Sequence, residues 1–166
     1  SVIETSSHIF TEMADGVYQV TGTGEVYVMS NALMLVGAND VLLVDSHVTP
    51  NAANALLRSV RAVTDKPVRY LVNSHYHFDH AHGNQVFPNT VEIIGHSYTR
   101  TKLNGEMGNV LTESTMLSFT EGVPETVERL RAQLADTTGT EERARVARLL
   151  KSQEDHMISL REIVPT

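Results

Sequence analysis

The run Val41-Leu42-Leu43-Val44-Asp45 is apolar without alternation and stops on an acid. Such a run suits a central strand buried on both faces. The residues after it narrow the fold further. Thr49 can cap a helix and Pro50 can occupy its first turn. Ala52, Ala53, Leu56, Leu57, Val60 and Val63 then recur at helical spacing. Lys66-Pro67 leads into a second strand, Val68 to Asn73, and a third runs from Val91 to Gly95. Strand, helix, strand, loop, strand is the order of an α/β layered domain.

The residues before this unit read as further β structure. Gly16 to Val20, Glu25 to Met29 and Asn31 to Val36 are short apolar runs punctuated by Gly22, Gly24 and Gly37. Ala38-Asn39-Asp40 is placed as a hairpin turn. Residues 97–123 lack a clean apolar period and read as a short helix and then loop. Pro124 to Leu134 reads as a helix with Val127, Leu130 and Leu134 on one side. Thr140 is placed to cap a second helix reaching about Leu160, striped by Val146, Leu149, Leu150, His156, Met157 and Leu160. The 166 residues suffice for one domain with its own core, ending in a helical segment over 124–160.

Charge and composition remove several functions. A net charge of −7 argues against nucleic acid and against an anionic membrane surface, since both need a basic face. No apolar run approaches the roughly 20 residues of a membrane span. The chain has no cysteine, so disulfides and thiolate ligands are excluded. The first residues carry no secretory signal, yet the chain opens on Ser1 rather than Met. Cytoplasm and, after removal of a signal, periplasm both stay open.

Histidine is the anomaly. Of eight in the chain, those at 75, 77, 80 and 82 fall between Asn73 and Asn84, directly after a buried strand. The core of that segment, His75-Tyr76-His77-Phe78-Asp79-His80, offers three imidazoles and a carboxylate in six residues. Nitrogen and carboxylate donors suit zinc, and also iron or manganese. If the loop turns, His75 and His77 can converge on one ion and Asp79 and His80 on a second. Metal at such a site makes water a nucleophile near neutral pH. Gly83 fits close backbone packing beneath. Tyr76 and Phe78 are expected to pack beside the site.

The segment HYHFDH, preceded by YLVNS and followed by GN, resembles the HxHxDH motif of the metallo-β-lactamase-fold hydrolases, and the earlier VLLVDS, ending a strand on Asp45, matches that family's pattern. The resemblance covers about residues 14–100. It implies an αββα sandwich, of which this chain is half: a mixed β-sheet with flanking helices. It also implies His75 and His77 as ligands of a first zinc, and Asp79 and His80 as ligands of a second. Turnover would depend on Asp79. The implied activity is a zinc-dependent hydrolase in which water attacks a lactam, ester, thioester or related bond of a small molecule.

The family normally adds a histidine, a metal-bridging aspartate and a last histidine from later strands, and no such strands follow here. A truncated domain is therefore expected. It would be completed by a longer chain, a complementing second half or a second copy, with helices 124–134 and 140–160 in a homo-oligomeric contact. The alternative is a non-catalytic half-domain that binds metal or a partner. Asp45 reads equally as a turn cap or as the group orienting a ligand histidine. His47 is expected exposed near the site mouth, His82 solvated, and His8 without function in a polar N-terminal stretch. His96 is placed to line the site, and His156 to sit in a core or partner contact.

Overall fold

The computed structural model of the chain describes residues 1–107 and 121–166. Most of the loop expected after residue 103 therefore lies outside the described residues. Seven strands form one sheet in sequence order. They are β1 (Val2–Glu4), β2 (His8–Ala14), β3 (Val17–Gly22), β4 (Ala32–Val36), β5 (Val41–Val44), β6 (Val68–Val72) and β7 (Glu92–Ile94). Neighbours from β1 to β5 pair antiparallel, whereas β5, β6 and β7 run parallel. The mixed sheet follows from the connections. Gly37 to Asp40 closes a tight hairpin between β4 and β5, with the Gly37 N–H donating to the Asp40 carbonyl at 2.8 Å. A parallel step needs a longer crossover, and helix α1 (Pro50–Val60) supplies it.

Helix α1 forms where the sequence placed it. The Thr49 hydroxyl accepts from the Ala52 N–H at 3.2 Å, and Pro50 opens the first turn. Its apolar side buries Ala52, Ala53, Leu56 and Val60. These meet Phe10, Val20, Met34, Leu43 and Leu71 from one face of the sheet. Sealing a leucine such as Leu56 from water contributes roughly 1.5–3 kcal/mol. The opposite face is apolar too, but only half-covered. Leu35, Leu42, Val44 and Val72 are partly buried there, and Leu33 and Ile94 are exposed.

Three expectations need correction. Glu25 to Met29 is not a strand. Met29 has φ 64°, which breaks the extended backbone, and the Ser30 N–H turns back on the Val28 carbonyl at 2.8 Å. Tyr27 there faces a helix instead, packing on His156 with ring centroids 4.5 Å apart. Conversely, the polar N-terminal stretch forms β1 and β2, since alternate residues His8 and Phe10 are buried against the core. Lastly, Gly139 occupies the N-cap of the final helix and Thr140 is its first residue.

Helix α2 (Phe78–Ala81) lies inside the histidine segment, and α3 (Ser97–Leu103) follows β7. Helices α4 (Val123–Asp136) and α5 (Thr140–Ser159) form a hairpin. Within it Val127, Leu130 and Val146 are buried. The α5 end docks on the start of α1, where the Asn51 N–H donates to the Ser159 hydroxyl at 3.0 Å. Among the described residues no helix is long and apolar enough to cross a membrane.

Candidate metal centre

The histidine segment leaves the carboxyl end of β6, beside the carboxyl end of its parallel neighbour β5. In open α/β sheets that edge is where sites form. Three consecutive residues after β5 support the segment. Asp45 and His47 both have left-handed backbone, at φ 67° and 64°. Aspartate and histidine tolerate this better than most residues, at a cost on the order of 1 kcal/mol each. The alternation turns Asp45 and His47 to different surroundings, with Ser46 between them. The backbone joins as well, since the Ser46 N–H donates to the His80 carbonyl at 2.7 Å.

Asp45 is buried and accepts three hydrogen bonds. The Ser74 N–H donates to Oδ1 at 2.8 Å, the Ser74 hydroxyl to Oδ2 at 2.8 Å, and His80 Nδ1 lies 2.8 Å from Oδ2. A carboxylate only accepts, so His80 carries a proton on Nδ1, which turns its Nε2 toward Asp79. The same logic reaches His75. Ser74 has spent its proton on Asp45, so at 2.9 Å it accepts from His75 Nδ1. One carboxylate thus sets both tautomers, as partners of metal-binding histidines do. Asp45 is therefore an orienting group; the sequence left it level with a turn cap, and Ser74 was not singled out.

The two Nε2 atoms point into shared space, where His75 Nε2 accepts from His77 Nδ1–H and His80 Nε2 faces the Asp79 carboxylate. His75 Nε2 lies 3.1 Å from His77 Nδ1, and the His75 and His80 ring centroids are 4.3 Å apart. His80 Nε2 is 3.2 Å from Asp79 Oδ2. All four expected ligands are thus brought together, as two adjoining pairs. Among the described residues no three such side chains are already spaced about one ion. The donor set nevertheless fits zinc: two nitrogens bound at about 2.05 Å in a tetrahedron sit about 3.3 Å apart, close to the 3.1 Å between His75 and His77. His77 is exposed, and His75, Asp79 and His80 are half-buried, so the pairs are reachable from solvent.

The two ends of the segment are tied together. Asn73 and Asn84 exchange side-chain hydrogen bonds at 3.0 and 2.8 Å, and Ser46 donates to Asn84 Oδ1 at 2.8 Å. A Cβ at Gly83 would stand 2.1 Å from the Ser46 carbonyl oxygen, so only glycine allows this approach. A cleft of about 480 Å³ beside this base is lined by Asn73, Asn84, Gly95, Thr99 and Arg100. Tyr76 stands edge-on to Tyr98, with Lys102 Nζ 5.7 and 5.4 Å from their ring centres. Phe78 packs with Val48 and Leu160.

The other histidines depart from expectation. His47 is not at the mouth but fully buried, and His82 is buried rather than solvated. His8 is fully buried in β2. His96 is exposed and accepts from the Tyr98 N–H at the start of α3. His156 is buried against Tyr27, a core role. Desolvation by burial lowers the pKa of His8, His82 and His156 to about 4, and that of His47 to about 3. All four imidazoles are therefore neutral at pH 7.

Comparison with known proteins bears on the family and the fold. Residues 27–142 match the family model of the metallo-β-lactamase superfamily. A metallo-β-lactamase of Erythrobacter litoralis, solved with β-mercaptoethanol in its active site, is similar at 25% identity with a TM-score of 0.54. The match covers 64% of this chain and 48% of that one. The metallo-β-lactamase FIM-1 of Pseudomonas aeruginosa, in its mono-zinc form, shares the fold at 20% identity and a TM-score of 0.50. That match covers 57% of this chain and 44% of FIM-1. This chain thus spans about half the length of the solved structures it matches.

Proposed function

The chain belongs to the metallo-β-lactamase superfamily, and from that premise we propose that it carries the metal-binding half of a zinc-dependent hydrolase. His75 and His77 are assigned to one ion, and Asp79 and His80 to a second; iron or manganese would suit the same donors. One observation carries the reading. The buried Asp45 holds the proton on His80 Nδ1 directly and on His75 Nδ1 through Ser74, and so turns both Nε2 atoms toward one space.

The chemistry such a site supplies with zinc bound is Lewis acidity, which makes water a nucleophile near neutral pH. The chain's own groups orient and exclude. Asp45 and Ser74 prevent the imidazoles from turning, and the Asn73–Asn84 pair closes the loop at its base. The reaction proposed is attack of water on a lactam, ester, thioester or related bond of a small molecule, with turnover depending on Asp79. Association with a second copy or a complementing half is part of the proposal.

A second reading, metal or partner binding without turnover, is favoured by one feature: among the described residues the donors come in pairs, with no third around either ion. A panel of chromogenic lactam, ester and thioester substrates separates the readings, run with zinc and with chelator. Chelator-sensitive turnover lost in Asp79→Ala supports the hydrolase. No turnover with zinc fully bound leaves the binding half-domain.

A further inference from the structure

Beneath the metal loop runs a line of buried polar side chains from four separate parts of the chain. His8 and His47 are fully buried, and Ser7, Ser59 and Ser30 nearly so. Their ring nitrogens face each other, His8 Nε2 to His47 Nε2, at 3.1 Å. His8 Nδ1 lies 2.9 Å from the Ser7 hydroxyl and 3.3 Å from that of Ser59. His47 Nδ1 lies 3.5 Å from the Ser30 hydroxyl, which donates to the backbone carbonyl of Asp79. Each of these buried polar groups has a hydrogen-bond partner within the line.

The direction of the line is determined at its inner end. The Asp79 carbonyl can only accept, so the Ser30 proton points at it. Toward His47 the Ser30 hydroxyl can then only accept from Nδ1–H, at 3.5 Å, a proton that the Ser30 backbone carbonyl also draws to the same side. A neutral His47 has no second proton, so its Nε2 accepts from His8 Nε2–H. His8 Nδ1 is left to accept from Ser59 or Ser7. Every donor and acceptor agrees, head to tail, over four links. Two left-handed residues serve the line, Met29 directly before Ser30 and His47 itself. Backbone strain of that kind persists where the surroundings enforce it.

We propose that the line Ser59–His8–His47–Ser30 is a positioning device for Asp79: it delivers a fixed donor to the Asp79 carbonyl and so sets the direction in which the Asp79 carboxylate faces the second metal position. His8, His47 and Ser30 are positioning residues, since none touches the metal position itself. This role rests on the assignment of Asp79 as a metal ligand. It complements Asp45, which orients His75 and His80 but makes no bond to Asp79.

The test has two arms, both on the 166-residue chain. Imidazole ¹H–¹⁵N correlation spectra of the metal-free protein at pH 7 read the tautomers. His8 is expected to be protonated on Nε2 and His47 on Nδ1; the reverse pattern overturns the line. Zinc titration against a competing chelator is then compared for wild type, Ser30→Ala and Ser30→Thr. Ser30→Ala is expected to weaken the second zinc equivalent by about tenfold or more, as loss of such partners does, and to leave the first unchanged. Ser30→Thr keeps the hydroxyl and is expected to behave as wild type. Equal weakening of both equivalents, or of neither, assigns the line a purely structural role and overturns the proposal. A wild-type chain that takes up no zinc overturns the metal-centre reading, and the positioning role with it.

Discussion

At the scale of the residue, Asp45 is the group on which the site turns. It touches no metal position, yet its three accepted hydrogen bonds decide where two imidazoles keep their protons. Replacing it should therefore act on affinity rather than on the ligands' identity. Asp45→Ala is expected to weaken zinc binding roughly 10–100-fold, measured by chelator competition. An unchanged affinity would mean that packing alone orients His75 and His80. The four proposed ligands stand out in the sequence because they fall within six residues, His75 to His80. Asp45 was half legible, as an acid ending a buried strand. Ser74 and the His8–His47 pair were not, because their partners lie 29 and 39 residues away and only the register of the sheet brings them together. A polar N-terminal stretch hides a buried histidine when its neighbours alternate, as His8, Ile9 and Phe10 do in β2.

At the scale of the element, the strand–helix–strand core was legible from local signals. The Thr49-Pro50 cap and the hairpin at Gly37 to Asp40 form as the residues suggest, while the apolar run of β5 forms a strand buried on one face and only half-buried on the other. Glu25 to Met29 misled because apolar alternation does not specify what the side chains will face, and there Tyr27 faces α5. The loop base gives an element-scale test. Gly83→Ala places a Cβ 2.1 Å from the Ser46 oxygen and 2.4 Å from the Ala53 side chain. Either the loop or α1 must move, at roughly 1–3 kcal/mol for overpacking. The expected outcome is a lower urea midpoint together with weaker zinc binding. A variant as stable as wild type would show that the loop is not pinned against α1.

At the scale of the molecule, burial governs both pH dependence and association. Unfolded, the four buried histidines return to an ordinary pKa of 6.5; folded, they titrate near 4, with His47 near 3. Between those values the unfolded chain holds more protons. Their contribution to stability is thus whole above pH 6.5 and is lost as pH falls toward 4, by up to about 1.4 kcal/mol per pH unit for each group. Urea midpoints should drop between pH 7 and pH 5; a flat profile would contradict the neutral assignment. The half-covered sheet face, with Leu33 and Ile94 exposed, carries the proposal of association. Sedimentation at high micromolar concentration is expected to show a dimer or larger species, and a strict monomer would refute it. The central claim is that the histidine loop holds metal. Elemental analysis after zinc loading and desalting tests this most directly, on wild type and on His75→Ala/His77→Ala. The expected result is one to two zinc ions per wild-type chain and a clear loss in the double variant. Less than about half an equivalent in wild type, or undiminished zinc in the variant, would contradict the claim.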